Sequence, residues 1–390
     1  MKAKSTPSRE LNSLREIVES SPHLRTVAMH TVRGESSPQP LGPALWDWDI
    51  VKRVLVIRLR SIGDTVLSTP SLFALRRFLP RASIDILLED WVAPVLAGFE
   101  HIDSVLTVPR KSTAARARVA ARLRRNRYDV VYNLHGGTTA TLLTRATGAK
   151  HRVGYSDYQY ASFHNHLSPS SASLWSREKT HSAEQQLALL GWTGVPVSDR
   201  PPAQLAVTDI AATKIAERLK TVGLESAPFA VVHPAAAFDT KQWAAENFAA
   251  VISELTARQI PSIAITGPTE KELVDQLRRV STSSIVSFPN LSLPEVTALL
   301  ARARLFVGND SGITHMAAAV GAPSVVVFGS SNRAHWAPWS TKPAEMVFEE
   351  MDCQPCHGYY CEKFEQPECI KRVGVDRVLA AIDRVLLETT

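Results

Sequence analysis

Twice along this chain a short apolar run ends in a turn of small and polar residues and passes straight into a helix-forming stretch. The first series opens with VKRVLVIRL, residues 51–59, and the turn Ser61-Ile62-Gly63-Asp64. It continues through the runs SIDILLE and DSVLTVP, a helical stretch over 112–126 and the run YDVVYNLHGG. The second opens with PFAVVHPAAA at Pro228 and continues with a helix over 245–258, PSIAITG, a helix over 269–280 and SIVSFPN. Ser292 caps the next helix, with Pro294 and Glu295 in its first turn, before ARLFVG, the small-residue helix HMAAAV, PSVVVFG and a last helix over 375–388. Apolar runs alternating with helices require a parallel sheet with helices on its faces.

The expected architecture is therefore α/β, with two Rossmann-like domains facing across a cleft. Residues 50–195 form the first, and the proline-rich segment 196–206 is a linker. Residues 207–390 form the second, with a cysteine-rich loop over 351–370. A chain of 390 residues is long enough for two cores. Residues 1–49 read as a poorly ordered extension, although Leu11, Leu14 and Ile17 fit one face of a short helix.

Composition narrows the class. No apolar run reaches the roughly 18 residues of a membrane-spanning helix, and the N-terminus lacks the apolar core of a secretory signal. A cytoplasmic protein is expected. The net charge of +6 favours anionic partners without choosing among them. Neither G-x-G-x-x-G nor G-x-x-x-x-G-K-[ST] occurs, which removes support for dinucleotide oxidoreductases and P-loop NTPases. Asp47-Trp48-Asp49 resembles a metal-binding pair but precedes the first strand, at the wrong end of the sheet.

Ligands of open parallel sheets bind beyond the carboxyl ends of the strands, where helix N-termini offer free N–H groups. Three turns fall there. In Ser61-Ile62-Gly63-Asp64, Gly63 permits close approach to the backbone, and Asp64 is either a group within reach of a reacting hydroxyl or a helix cap. The loop after His233 carries Lys241, a point charge for a phosphate, and Trp243, which suits a core anchor. In Asn309-Asp310-Ser311-Gly312, small residues open a helix that suits a diphosphate, leaving Asp310 for sugar hydroxyls. His315 follows one turn later, as a ligand contact or a packed side chain.

Two clusters remain. Arg110 to Arg127 holds eight Lys or Arg and no acid. A solvated helix face is the ordinary explanation, but eight uncompensated charges exceed what solubility needs, and an anionic glycolipid or inner-membrane surface would account for them. The run lacks the interleaved aromatics and motifs of a nucleic-acid binder. Cys353, Cys356, Cys361 and Cys369 form C-x2-C-x4-C-x7-C. They fit a structural zinc or iron site, with free thiols as the alternative and disulfides disfavoured in the cytosol.

Together, VLVIRLRSIGDTVLSTPSLFALRRFLP, HPAAAFDTKQWAAENFAAV and VGNDSGITHMAAAVGAPSVVVFG resemble the opening, lysine-loop and diagnostic segments of glycosyltransferase family nine, the ADP-heptose:lipopolysaccharide heptosyltransferases. The likeness spans about Val51 to Ala380, and a cysteine-rich loop recurs in many members. It implies a GT-B fold with acceptor on the first domain, near Ser61 and Gly63, and an ADP-sugar on the second. It implies an inverting, metal-independent transfer to the Kdo/heptose–lipid A inner core at the inner face of the inner membrane. Asp64 would be the base, Lys241 would neutralise phosphate, and Asn309, Asp310, Ser311, Gly312 and His315 would bind the donor. Ser311 stands where many members have threonine, and alanines follow His233 where glycine is common. A protein hydroxyl as acceptor is the rival within the family. A non-catalytic nucleotide-sugar-binding module is the rival outside it, though it has no use for Asp64.

Overall fold

The computed structural model describes residues 37–267, 270–356 and 359–389. The suggested helix at Leu11, Leu14 and Ile17 lies outside them. The first series of elements is β1 (Arg53–Ile57), α1 (Ile62–Val66), α2 (Thr69–Phe78), β2 (Ser83–Glu89), β3 (Ser104–Val108), α3 (Thr113–Arg125), β4 (Val130–Asn133), α4 (Thr138–Thr147), β5 (His151–Tyr155), β6 (His166–Ser168), α5 (Ser171–Trp175) and α6 (Ser182–Gly191). The second is α7 (Asp209–Thr221), β7 (Ala230–His233), α8 (Ala245–Ala257), β8 (Ser262–Ala264), α9 (Lys271–Val280), β9 (Val286–Ser287), α10 (Leu293–Ala301), β10 (Leu305–Asn309), α11 (Gly312–Ala319), β11 (Ser324–Phe328), α12 (Arg333–Trp336), β12 (Ala344–Phe348), α13 (Glu368–Lys371) and α14 (Val375–Leu387).

Each series builds one six-stranded sheet, in the orders β3-β2-β1-β4-β5-β6 and β12-β11-β10-β7-β8-β9. All the strand pairings are parallel. This explains the unbroken apolar runs, since helices cover both faces: Val54 to Ile57 and all of β11 are buried. Pro70 restarts the helix at α2 instead of bending it, because its missing N–H costs nothing in a first turn. Ser292 and Glu295 form a capping box on α10.

The strand order reverses twice. In the first sheet the chain moves outward from β1 through β2 and β3, then returns to place β4 on the other side of β1. In the second, β10 returns in the same way beside β7. Each reversal leaves a crevice at the carboxyl ends of two adjacent strands, where their loops must diverge. One buried cluster joins the halves, running from Val54 and Val66 to Leu299, Phe306 and Met316.

Residues 39–49 depart from the expected loose extension. Leu41 N donates to Gly191 O at 2.9 Å, and Trp48 Nε1 to Thr193 O at 3.1 Å. Trp46 stacks on His151, with ring centroids 4.4 Å apart. The apolar surface of two tryptophans outweighs the turn-forming prolines around them. His151 opens β5, so this strap lies at the amino end of the sheet, away from the crevice.

Candidate active site

Asp64 sits in the first crevice, on the turn after β1. One carboxylate oxygen, Oδ1, pairs with the Arg58 guanidinium, whose other arm donates to the Leu134 carbonyl after β4. The other, Oδ2, accepts from Ser61 N at 3.1 Å and from the Ser61 hydroxyl at 3.0 Å. Asp64 thus closes the N-terminus of α1 and also lines the crevice; the cap and the crevice group are the same residue. Burial alone would raise its pKa, but Arg58 and the two Ser61 hydrogen bonds outweigh that and hold it below the ordinary value. The carboxylate is ionised and fixed in place.

Beside it lies a cavity of about 350 Å³ lined by Arg60, Glu89, Arg110, Arg116, His135 and Gly137–Thr139 at the start of α4. Among the described residues, Arg60, Arg110 and Arg116 have no carboxylate within ion-pair reach. Glu89 is buried and accepts from Trp91 Nε1 at 2.7 Å. Burial, with Arg58 and Arg60 nearby, lowers the His135 pKa to about 4, so it is neutral at pH 7. With Arg58, Arg60, Arg110 and Arg116 against Asp64 and Glu89, the crevice between β1 and β4 carries an excess of positive charge.

The second crevice is built from β7, β10 and β11. Lys241 Nζ lies 2.8 Å from Asp310 Oδ2, and the Ser331 hydroxyl donates to the same oxygen. Asp310 is 5% exposed and its lysine 21%. Ser311 begins α11, and its Oγ lies 3.3 Å from His233 Nδ1. The amides at the start of α11, with the helix dipole behind them, face the crevice. Trp243 is a core anchor, 1% exposed, and its indole donates to Val373 O at 2.9 Å.

Asn309 requires a correction. It was expected to contact a donor, but it is wholly buried. Its Oδ1 accepts from Trp243 N at 3.1 Å and its Nδ2 donates to Pro234 O at 2.7 Å. It ties the lysine loop to the end of β10 and has no surface for a ligand.

The two crevices meet. A Cβ on Gly63 would lie 2.7 Å from His315 Cδ2, and one on Gly312 would lie 2.9 Å from Ile62 Cβ and 3.1 Å from Gly63 N. His315 feels the charges of Asp310, Asp64 and Lys241 together, and its buried Nδ1 has no protein partner. A segment after β11 spans the same seam: His335 Nδ1 lies 3.0 Å from Thr180 O, and Trp339 Nε1 donates to Pro201 O at 2.9 Å. Gly312→Ala should therefore hold the halves a few tenths of an ångström apart and lower kcat/KM about tenfold. Steady-state kinetics on a variant that melts like the parent would check this.

Arg58, Ser331 and His135 were not anticipated. Arg58 lies inside the opening run, and its charge beside a Gly-Asp turn was the available signal. Ser331 lies in the Ser-Ser turn after β11, at the same sheet edge as Asp310. The cysteines are not disulfide-bonded, and among the described residues no three metal-capable side chains converge. Burial and neighbouring thiols raise the pKa of Cys356 and Cys369.

A family model described as glycosyltransferase family 9 (heptosyltransferase) matches residues 116–365. The chain is similar to lipopolysaccharide heptosyltransferase 3 of Escherichia coli, at 25% identity over 356 residues, covering 85% of this chain and 98% of that one. Two solved structures share the fold. The family 9 glycosyltransferase of Veillonella parvula DSM 2008 has a TM-score of 0.76 at 22% identity, covering 86% of this chain and 97% of its own. E. coli ADP-heptose lipopolysaccharide heptosyltransferase II has a TM-score of 0.72 at 20% identity, covering 86% and 99%.

Proposed function

The chain belongs to glycosyltransferase family 9, the heptosyltransferases, and from that premise we propose that it moves a heptose from ADP-heptose to the inner core of lipopolysaccharide, inverting the anomeric carbon. The observation that carries this is the meeting of the two crevices. An ionised, anchored aspartate stands on one side, and a lysine with a helix N-terminus on the other, joined by Gly63 and Gly312.

In this reading Asp64 takes the proton from the acceptor hydroxyl as its oxygen attacks the anomeric carbon from the face opposite the leaving group. The bond to the diphosphate breaks, and the charge it gathers is met by Lys241 and the first amides of α11 at Ser311 and Gly312. Asp310, steadied by Ser331, orients sugar hydroxyls and holds Lys241 in position. His315, neutral and with one free ring nitrogen, offers a hydrogen bond at the seam. These groups supply the positive potential within the protein, so the transfer needs no divalent ion. Arg60, Arg110 and Arg116 favour an acceptor bearing carboxylates or phosphates, as an inner-core glycolipid at the inner face of the inner membrane does.

The test is transfer from ADP-heptose to a heptose-free Kdo–lipid A acceptor by purified protein in the presence of chelator. Product supports donor, acceptor and metal independence together. Donor binding without product would reject the acceptor, and failure to bind ADP-heptose would reject the donor.

The pairing of Arg58 with Asp64 sets the pH dependence. A base must be ionised, so kcat/KM falls as pH falls through the Asp64 pKa, which Arg58 holds below the ordinary aspartate value of about 4. In Arg58→Met the cation is gone while burial remains, so the pKa rises and the acid limb moves to higher pH. A limb that stays put in the variant would reject this role for Arg58.

A further inference from the structure

We propose that the outer faces of α3 and α4 form a surface that docks on an anionic phospholipid bilayer, with Leu142 as its apolar contact. This deepens the proposed function by naming the partner that presents the acceptor. It starts from an imbalance. Among the described residues, ion pairs such as Arg77–Asp199 and Arg384–Glu345 engage arginines elsewhere, but none of the eight cations from Arg110 to Arg127 lies within 4.0 Å of a carboxylate. All but Arg116 are exposed.

The fold enlarges this patch. α3 and α4 pack side by side through Leu123, Ala140 and Leu143, which turns their opposite faces outward. α4 adds the exposed Arg145, close enough that its charge, after burial, depresses the Arg152 pKa. Leu142 stands on the same outward face, 50% exposed. A surface that gathers like charges without compensation repels itself, and an anionic partner relieves that cost.

Position and chemistry favour a bilayer over nucleic acid. α3 starts beside the cavity near Asp64, with Arg110 and Arg116 in its wall. A bilayer on this face would hold a lipid-anchored acceptor at the cavity mouth. Neither helix carries an aromatic side chain for base stacking, whereas an exposed leucine suits the boundary between headgroups and acyl chains.

The experiment is co-sedimentation of the full chain, without donor, with vesicles of phosphatidylcholine alone or with roughly one-third phosphatidylglycerol. The protein should bind the anionic vesicles and not the neutral ones. Each basic residue contributes about fivefold at such a surface, so the triple variant Arg118→Ser, Arg122→Ser, Arg125→Ser should bind about a hundredfold more weakly. Leu142→Asp should weaken binding independently, and both variants should melt like the parent. The triple variant should still transfer heptose to a deacylated, water-soluble acceptor, because Arg110 and Arg116 are untouched. Equal binding to neutral vesicles, full binding by the triple variant, or a loss confined to a competing DNA duplex would overturn the proposal. Vesicle binding without any transfer would leave the docking face standing and reject the proposed function. Transfer without vesicle binding would do the reverse.

Discussion

Asp64→Asn should lower kcat by about 10²–10⁴-fold while leaving the affinity for ADP unchanged. The substitution keeps the size of the side chain and removes its charge and its capacity to accept a proton. In the proposed mechanism the donor contacts lie in the other half of the molecule, at Lys241 and the start of α11, so they should survive. Arg58 loses its counter-charge, but it keeps the Leu134 carbonyl and can still donate to the asparagine amide oxygen. Transfer assays and calorimetric titration with ADP, on one preparation, separate the two quantities. Near-normal turnover would show that Asp64 is only a helix cap.

Lys241→Met should produce a different pattern, lowering kcat by about 10²–10³-fold and weakening ADP binding together. In the proposed mechanism Lys241 meets charge that is partly present on the bound donor and increases as the glycosidic bond breaks, so its loss affects both states. The variant also strands Asp310, almost fully buried, with the Ser331 hydroxyl as its remaining donor. An unpaired buried carboxylate is destabilising. Adding Asp310→Asn removes the stranded charge and should restore the melting temperature without restoring activity. Recovery of both would mean that Lys241 serves only to neutralise the buried Asp310 charge.

The parts of the fold that could be read in advance were those whose signal is local. β1, β10 and β11 are largely continuous apolar runs because their strands are covered on both faces, and that requirement is written into consecutive residues. β6, three residues of His-Leu-Ser, and α4, rich in β-branched threonine, exist because neighbours hold them, and neither has a local pattern to match. The same distinction governs the site. The Gly-Asp and Asp-Ser-Gly turns were visible as polar breaks after strands. The fate of Asn309 depends on Trp243 and Pro234, far away in the chain, so a polar residue at a strand end was taken for a ligand contact. Arg58 lay in plain view, but the hydrogen bonds that give it meaning come from the tip of another strand.

The two strand-order reversals have a consequence for how such a protein can diversify. In the proposed mechanism each reactant is served by loops of one sheet, so sugar-nucleotide choice and acceptor choice can drift, or be engineered, as separate inheritances. A chimera that grafts residues 207–390 of this chain onto the first half of a cousin would carry its donor preference along. What such a graft must respect is the seam. The backbones at Gly63 and Gly312 approach so closely that a side chain at either forces the halves apart, and His315 packs against the glycine opposite it. Freedom to exchange substrates rests on a narrow joint that is not free to change.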